Sequence, residues 1–121
     1  ALTAVARDAA GNTTTSTAVT VTVQNTDTTL PTVSMTAPAA GTVSGSAVTV
    51  SANAADNVGV VGVQFKLDGV NLGAEDTTSP YSTTWNTTTA TNGTHLLTAI
   101  ARDSAGNTTT SSSVSPDSRA T

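Results

Sequence analysis

Residues 47–69 read AVTVSANAADNVGVVGVQFKLDG, and the alternation in this stretch decides the fold class. Apolar and polar residues alternate twice, which is typical of β-strands because successive side chains point to opposite faces. The apolar positions are Val48, Val50, Ala52 and Ala54 in the first run and Val61, Val63, Phe65 and Leu67 in the second. Asp68-Gly69 then supplies the dipeptide of a type I′ hairpin turn. We therefore predict two half-buried strands, with a short return strand at Val70 and Leu72.

Outward from this stretch, the same pattern predicts further short strands separated by turn residues. Residues 81–87 carry Tyr81 and Trp85 on one face, and residues 94–103 and 108–114 form the last two strands. Residues 31–37 form a first strand, which prolines at both ends place at a sheet edge. The order predicts an all-β fold, an immunoglobulin-like seven-stranded antiparallel sandwich, with a β-hairpin from a neighbouring repeat ahead of it.

The hairpin follows from an internal repeat. Residues 1–15, ALTAVARDAAGNTTT, nearly match residues 96–110, LLTAIARDSAGNTTT, at a constant offset of 95 residues. A fixed offset indicates tandem structural units. We therefore predict that residues 1–25 are the last two strands of a preceding Ig-like repeat, that residues 26–115 are a complete Ig-like domain, and that residues 116–121 are a C-terminal tail.

The two closing strands differ after their shared part. Val19, Val21 and Val23 alternate strictly, whereas Pro116 and Ser118 stand where the second copy would continue with valine. Proline cannot donate to a strand ladder, and serine lacks the branched side chain that strands favour. The closing strand of the complete domain is expected to be short or frayed.

Composition excludes several classes of function. The formal net charge is −4, only four residues are Lys or Arg, and no apolar run approaches the length of a membrane span. We therefore expect no nucleic-acid partner and no membrane insertion. The chain has no cysteine, a single histidine, and one adjacent acidic pair, Glu75-Asp76, in a loop. No catalytic residues are predicted, and His95 is expected to be a surface strand residue.

Four motifs in order, DTTLPTV, ADNVGVVGVQFKLDG, SPYSTTWNT and GTHLLTAIARDSAGNTTT, resemble the bacterial Ig-like repeats. These repeats occur in tandem in surface adhesins and beside the catalytic domains of secreted glycan-degrading enzymes. The resemblance covers about residues 27–115, and residues 1–24 match the last two strands of the family. It implies an extracellular or cell-surface bacterial module, adjacent Ig-like repeats as partners, and little chemistry of its own.

Three aspartates are the candidate metal ligands. In an Ig-like sandwich the entry to the first strand, the loop between the second and third strands and the last hairpin share one pole, and these carry Asp27, Asp56 and Asp103. Ca²⁺ takes 6 to 8 oxygen ligands, which Asn57 and main-chain carbonyls could complete. No other cofactor is indicated. The alternative is that the aspartates only accept hydrogen bonds from turn amides and solvate a linker.

Three functions stay open at this point. The chain can be a non-catalytic structural repeat, a spacer or stalk segment of an adhesin or surface fibre. It can instead be an accessory module of a secreted glycan-degrading enzyme that contacts polysaccharide, with Tyr81 and Trp85 either in the core or forming a sugar-stacking platform. Third, residues 1–23 could self-associate by β-strand addition to a neighbouring molecule.

Overall fold

The computed structural model describes residues 1–23 and 26–119, and this part of the chain is built from short β-strands. One 3₁₀ turn, Thr87–Thr89, is present among these residues, and α-helix is absent from them. The strands are β1 (Val5–Arg7), β2 (Thr13–Thr15), β3 (Thr32–Ala37), β4 (Thr42–Val43), β5 (Val48–Ala55), β6 (Val60–Leu67), β7 (Val70–Asn71), β8 (Tyr81–Trp85), β9 (Gly93–Thr94), β10 (Leu97–Asp103), β11 (Thr108–Thr110) and β12 (Asp117–Ser118).

The first sheet of the sandwich has the order β3-β5-β8, with all pairs antiparallel. Its central strand β5 pairs Ala52 with Met35 on one side and with Tyr81 on the other. β3 lies at the edge of this sheet, as the flanking prolines predict. The alternation in residues 48–55 therefore describes a strand with one face toward the core.

The second sheet has the order β11-β10-β6-β7, again antiparallel. β6 and β7 are joined at Asp68 and Gly69, whose φ values of 52° and 82° are both positive. A type I′ turn requires this geometry, and Asp and Gly adopt it at low cost. The hairpin predicted at these two residues is thus confirmed.

The core lies between these two sheets. Trp85 and Phe65 are its largest fully buried side chains, and Leu97 is also completely buried. The remaining buried apolar residues come from the predicted faces of β5, β6, β8 and β10: Val50, Ala52, Val63, Tyr81, Ala99 and Ala101. The core placement of Tyr81 and Trp85 is confirmed, and a surface platform built on these two rings is ruled out by their burial.

A third, small sheet was not predicted and changes the end of the domain. β12 pairs in parallel with β4 and antiparallel with β9. Pro116 and Ser118 are buried, and the Pro116 carbonyl accepts a hydrogen bond from the His95 amide at 3.0 Å. The closing strand is therefore short but not frayed. The sandwich extends past the predicted boundary at residue 115, because the chain after Pro116 forms β12, which pairs with β4 and β9.

Residues 1–23 form a separate hairpin in which β1 pairs with β2 and Leu2 pairs with Val19. Every one of these residues is exposed. Residues 24 and 25, next to the predicted boundary at residue 26, lie outside the described residues, as do residues 120 and 121 of the predicted tail.

Candidate functional site

The three aspartates singled out in the sequence lie together at one pole of the sandwich. Asp27 lies in the segment that enters β3, Asp56 follows β5, and Asp103 ends β10. One carboxylate oxygen from each residue lies within 4.8 Å of the other two. Asp103 is fully buried, while Asp27 and Asp56 are half-buried. The predicted convergence of these loops is therefore present in the structure.

Asp103 is held by the tight turn that joins β10 to β11. Its Oδ1 accepts hydrogen bonds from the Ala105 and Asn107 amides, both at 2.9 Å, and its Oδ2 accepts one from Asn107 Nδ2 at 2.8 Å. The turn role expected for this aspartate is confirmed by these bonds. They also leave its carboxylate in a single orientation, facing the other two aspartates.

Asp27 and Asp56 use only one carboxylate oxygen each in their own loops. Asp27 Oδ1 accepts a bond from the Thr29 amide at 3.0 Å, and Asp56 Oδ2 accepts bonds from Val58 and Gly59 at 3.1 and 3.2 Å. Among the described residues, no hydrogen-bond partner reaches the remaining oxygens, Asp27 Oδ2 and Asp56 Oδ1, which are buried. A buried carboxylate oxygen without a partner is costly, so both atoms favour a ligand that supplies positive charge.

The electrostatics of the cluster follow from this packing. Burial raises the pKa of Asp27, and the neighbouring Asp103 and Asp56 carboxylates raise it further. Burial opposes ionisation of Asp103 as well, but the hydrogen bonds from Asn107, together with smaller contributions from Asp27 and the Ala105 amide, keep the pKa of Asp103 below its usual value. Carboxylates this close repel one another when ionised. Three converging oxygens of this kind suit a hard cation such as Ca²⁺, and Asn57, expected to help complete the shell, is exposed beside them.

The linker that enters the domain is tied to the last hairpin at the same pole. Asn107 Nδ2 donates to the main-chain oxygen of Asp27 at 3.0 Å, in addition to its bond with Asp103. A single amide therefore joins the entry segment to the closing turn. Any cation at the cluster would strengthen a connection that the protein chain already makes.

His95 differs from its prediction as a surface residue: it is 9% exposed. Its Nδ1 lies 2.6 Å from Asp68 Oδ2 and its Nε2 lies 2.7 Å from the Thr91 carbonyl oxygen. Carboxylate and carbonyl oxygens only accept, so this geometry favours the charged imidazole, in which both ring nitrogens donate. Asp68 first, and then Thr91, raise the pKa of His95.

The position of His95 has a reason that the sequence alone does not reveal. Its ring meets Trp85 edge-on, with 5.6 Å between ring centroids and 74° between planes, and the Asp68 side chain also accepts from the Leu96 amide. The residue thus joins the β6–β7 turn to the segment before β10. Asp68-Gly69 signals the turn, but nothing local indicates that the aspartate bonds across to residue 95.

The adjacent acids Glu75 and Asp76 are engaged in structural contacts. Glu75 receives two hydrogen bonds from Arg102, at 2.8 and 3.2 Å, which lower the pKa of its carboxyl group. Asp76 accepts from the Ser82 and Thr78 amides at 2.9 and 3.0 Å. The Glu75 side chain also lies against Gly62, where an added Cβ would come within 2.6 Å of Glu75 Cδ. Both carboxylates therefore serve to hold loops in place.

Two facing antiparallel sheets, completed by a hairpin at the pole of the linker, define an Ig-like or fibronectin III-like β-sandwich module. The chain belongs to the bacterial Ig domain family, which matches residues 31–99. Seven chains of solved structures match it. Among them are fibronectin(III)-like modules of Clostridium thermocellum CbhA, with 29% sequence identity and a TM-score of 0.66 over 98% of this chain.

That match extends over both the hairpin and the sandwich, since it leaves out only 2% of the chain, and this chain spans 60% of the length of its neighbour. No protein of curated function matches the sequence. Modules of this class are typically non-catalytic domains. Within the described residues, helices long and apolar enough to cross a membrane are absent.

Proposed function

We propose that this chain is a non-catalytic structural repeat of an extracellular bacterial protein, a spacer or stalk segment of an adhesin or surface fibre. One observation carries the proposal: the closing hairpin occurs twice with the same hydrogen bonds. The Ser16 amide donates to Ala4 at 2.8 Å just as the Ser111 amide donates to Ala99, and Leu2 pairs with Val19 as Leu97 pairs with Val114. Hairpin 1–23 then closes a preceding Ig-like unit of the same protein.

The pole of the three aspartates is the joint between such units in this proposal. Asp27 belongs to the linker, whereas Asp56 and Asp103 belong to the following domain, so a cation shared among them would fix the linker to the domain. Ca²⁺ fits because it accepts six to eight oxygen ligands and is satisfied by carboxylates with main-chain carbonyls and water. The proposed role of the ion is to limit bending between repeats.

The alternative is an accessory module of a secreted glycan-degrading enzyme, for which the resemblance to modules found beside catalytic domains is the support. Direct contact with polysaccharide usually involves exposed aromatic rings, because sugar faces stack on them. Phe65, Tyr81 and Trp85 are all buried, and they are the three Phe, Tyr and Trp residues of this chain. The observations therefore favour the spacer.

A two-repeat protein tests the proposal. Residues 26–95 are fused ahead of residue 1, so that the hairpin closes a full upstream unit and the linker leads into the native domain. Spin labels on the two units report their separation, with and without Ca²⁺. A narrow distance distribution that broadens on chelation supports a stiff spacer. A broad distribution in both conditions, together with retention on insoluble cellulose or chitin, supports the accessory role.

A further inference from the structure

Hairpin 1–23 presents an uncovered apolar face. Leu2, Val19, Val21 and Val23 are 56–75% exposed, although each occupies a position whose counterpart in the complete domain is buried or half-buried. A two-stranded hairpin is marginal alone in water, and exposed apolar faces of this kind mark contact surfaces. The counterpart hairpin shows what kind of surface covers such a face.

Four residues of hairpin 96–118 make contacts with the rest of their domain, and each has an identical counterpart in hairpin 1–23. Leu97 fills the core, Arg102 pairs with Glu75, Asp103 joins the aspartate cluster and Asn107 bonds to the Asp27 carbonyl. The residues 95 positions earlier are Leu2, Arg7, Asp8 and Asn12, all identical. The Asp8 turn is also already formed, with Asn12 Nδ2 donating to Asp8 Oδ2 at 2.9 Å.

At two of the positions where the hairpins differ, the residue of the first hairpin suits the sandwich better. Ser118 is fully buried, and its Oγ has no hydrogen-bond partner within residues 1–23 and 26–119. Val23 is the counterpart of Ser118 and would bring no polar atom into that buried position. Val21 is the counterpart of Pro116 and, unlike proline, can donate its amide to a neighbouring strand. At these two places hairpin 1–23 would therefore bury valine side chains where residues 96–118 bury a proline and a serine.

The hairpin cannot reach that position within its own molecule. Residue 23 would stand at the place of Ser118, beside Gly93 and Val43, whereas Asp27 stands at the opposite end beside Asn107. Eleven residues of nearly extended chain separate those two places, about 30 Å, but the four steps from residue 23 to residue 27 span at most about 14 Å. The sandwich that follows the linker therefore cannot accept the hairpin of its own chain.

We propose that hairpin 1–23 of one copy of this chain docks into the sandwich of a second copy, in the position that residues 96–118 otherwise hold. Binding is by replacement of a whole hairpin, which retains the β6 register, and differs from addition of a strand at a free edge. The inference rests on the proposed identity of residues 1–23 as an Ig closing hairpin. It goes beyond the spacer role, because it names a second copy as partner.

Disulfide trapping in the full chain tests this, since the native sequence has no cysteine. Lys66 faces Thr98 across β6 and β10, and Thr3 is the counterpart of Thr98. The probe variant carries Thr3→Cys with Lys66→Cys, and the matched control carries Thr98→Cys with Lys66→Cys. Facing strand residues lie within the about 4.4–6.8 Å between Cα atoms that a disulfide requires.

Both variants are refolded from denaturant at about 1 mM, comparable to the effective concentration of the attached hairpin, and at about 10 μM, and are then oxidised. We expect the probe to form disulfides between position 3 of one molecule and position 66 of another, at least about tenfold more at the higher concentration, because capture is bimolecular. The control is expected to form its internal link at about 10 μM and less of it at about 1 mM, because its unchanged hairpin 1–23 displaces residues 96–118 of another copy at the higher concentration. Chains that carry Thr3→Cys alone or Lys66→Cys alone set the level of random cross-linking.

Three results would each overturn the proposal: links that join position 3 of two molecules, an internal link between positions 3 and 66, or no excess over the single variants. The first would show two hairpins packing face to face, and the last would leave a preceding unit of the same polypeptide as the covering partner. None of these results bears on the rigidity of the two-repeat protein. Failure here is therefore distinguishable from failure of the spacer role.

Discussion

The side-chain amide of Asn107 donates to the main-chain oxygen of Asp27 at 3.0 Å, so the closing turn of the domain holds the linker that enters it. The two residues are 80 positions apart in sequence. The matching turn at the other end of the chain contains Asn12, whose side chain bonds to Asp8. In the part of the chain that the structure describes, the turn at Asn107 bonds to a linker and the turn at Asn12 is exposed, so Asn12 provides a matched control for substitutions at Asn107.

Asn107→Ser should destabilise the sandwich by about 1–3 kcal/mol, because it removes hydrogen bonds to the Asp27 carbonyl and to the buried Asp103 carboxylate. Asn12→Ser, in the exposed counterpart turn, should change the free energy of unfolding by no more than about 0.5 kcal/mol. Urea unfolding followed by Trp85 fluorescence measures both. Equal effects of the two substitutions would contradict the assigned role of the linker contact.

Ca²⁺ should raise the melting temperature of the native chain. With the affinities typical of extracellular sites, about 10 mM ion gives a shift of about 5–15 °C for a domain of this size. Asp27→Asn should remove that response and raise the melting temperature in the presence of chelator, because it relieves repulsion among crowded carboxylates. Asp8→Asn serves as the control, since Asp8 lies outside the cluster, and it should leave the Ca²⁺ response intact.

Calorimetric titration at neutral pH checks the same site directly. Binding should weaken as the pH falls, because protons compete for Asp27, whose pKa is raised by burial. No heat and no change in melting temperature at millimolar Ca²⁺ would leave the aspartates with turn roles alone.

His95 should make stability depend on pH. Because its folded pKa lies above the ordinary value of 6.5, the stabilisation is complete below about pH 6.5 and is lost as the pH rises through the folded value. Asp68 and Asp117 are the acidic groups that favour the charged imidazole. Melting temperatures should fall between about pH 6 and pH 9 in the native chain and stay flat in His95→Gln. An NMR titration giving a His95 pKa below about 6.5 would refute the charged assignment.

The repeated leucines give a further matched pair. Leu97 is completely buried, so Leu97→Ala should cost about 2–5 kcal/mol in unfolding free energy. Leu2 is 66% exposed, so Leu2→Ala should change it by less than about 0.5 kcal/mol in the single-repeat chain. In the two-repeat protein, Leu2→Ala should lower the unfolding free energy of the upstream unit by as much as Leu97→Ala lowers that of the downstream unit.

Much of the fold could be predicted because local signals and tertiary packing agree in it. The alternation in residues 48–67 and the positive φ required at Asp68 and Gly69 act over a few residues. The proximity of the three aspartates could be predicted from the topology of an Ig-like sandwich, which places their loops at one pole. The small third sheet could not be predicted, since its two-residue strands carry no periodicity and pair across distant parts of the chain. His95 was missed for a related reason: its partner lies 27 residues earlier.

The most direct test is hydrogen exchange in the two-repeat protein, read at the amides of Ala4, Ser16 and Val19. All three are hydrogen-bonded within the hairpin, yet they lie on an exposed element in the single-repeat chain. If residues 1–23 close a preceding Ig-like unit, their exchange should slow by at least about a thousandfold and approach that of Ala99, Ser111 and Val114. Exchange that stays as fast as in the single-repeat chain would contradict the identity of this segment as a closing hairpin.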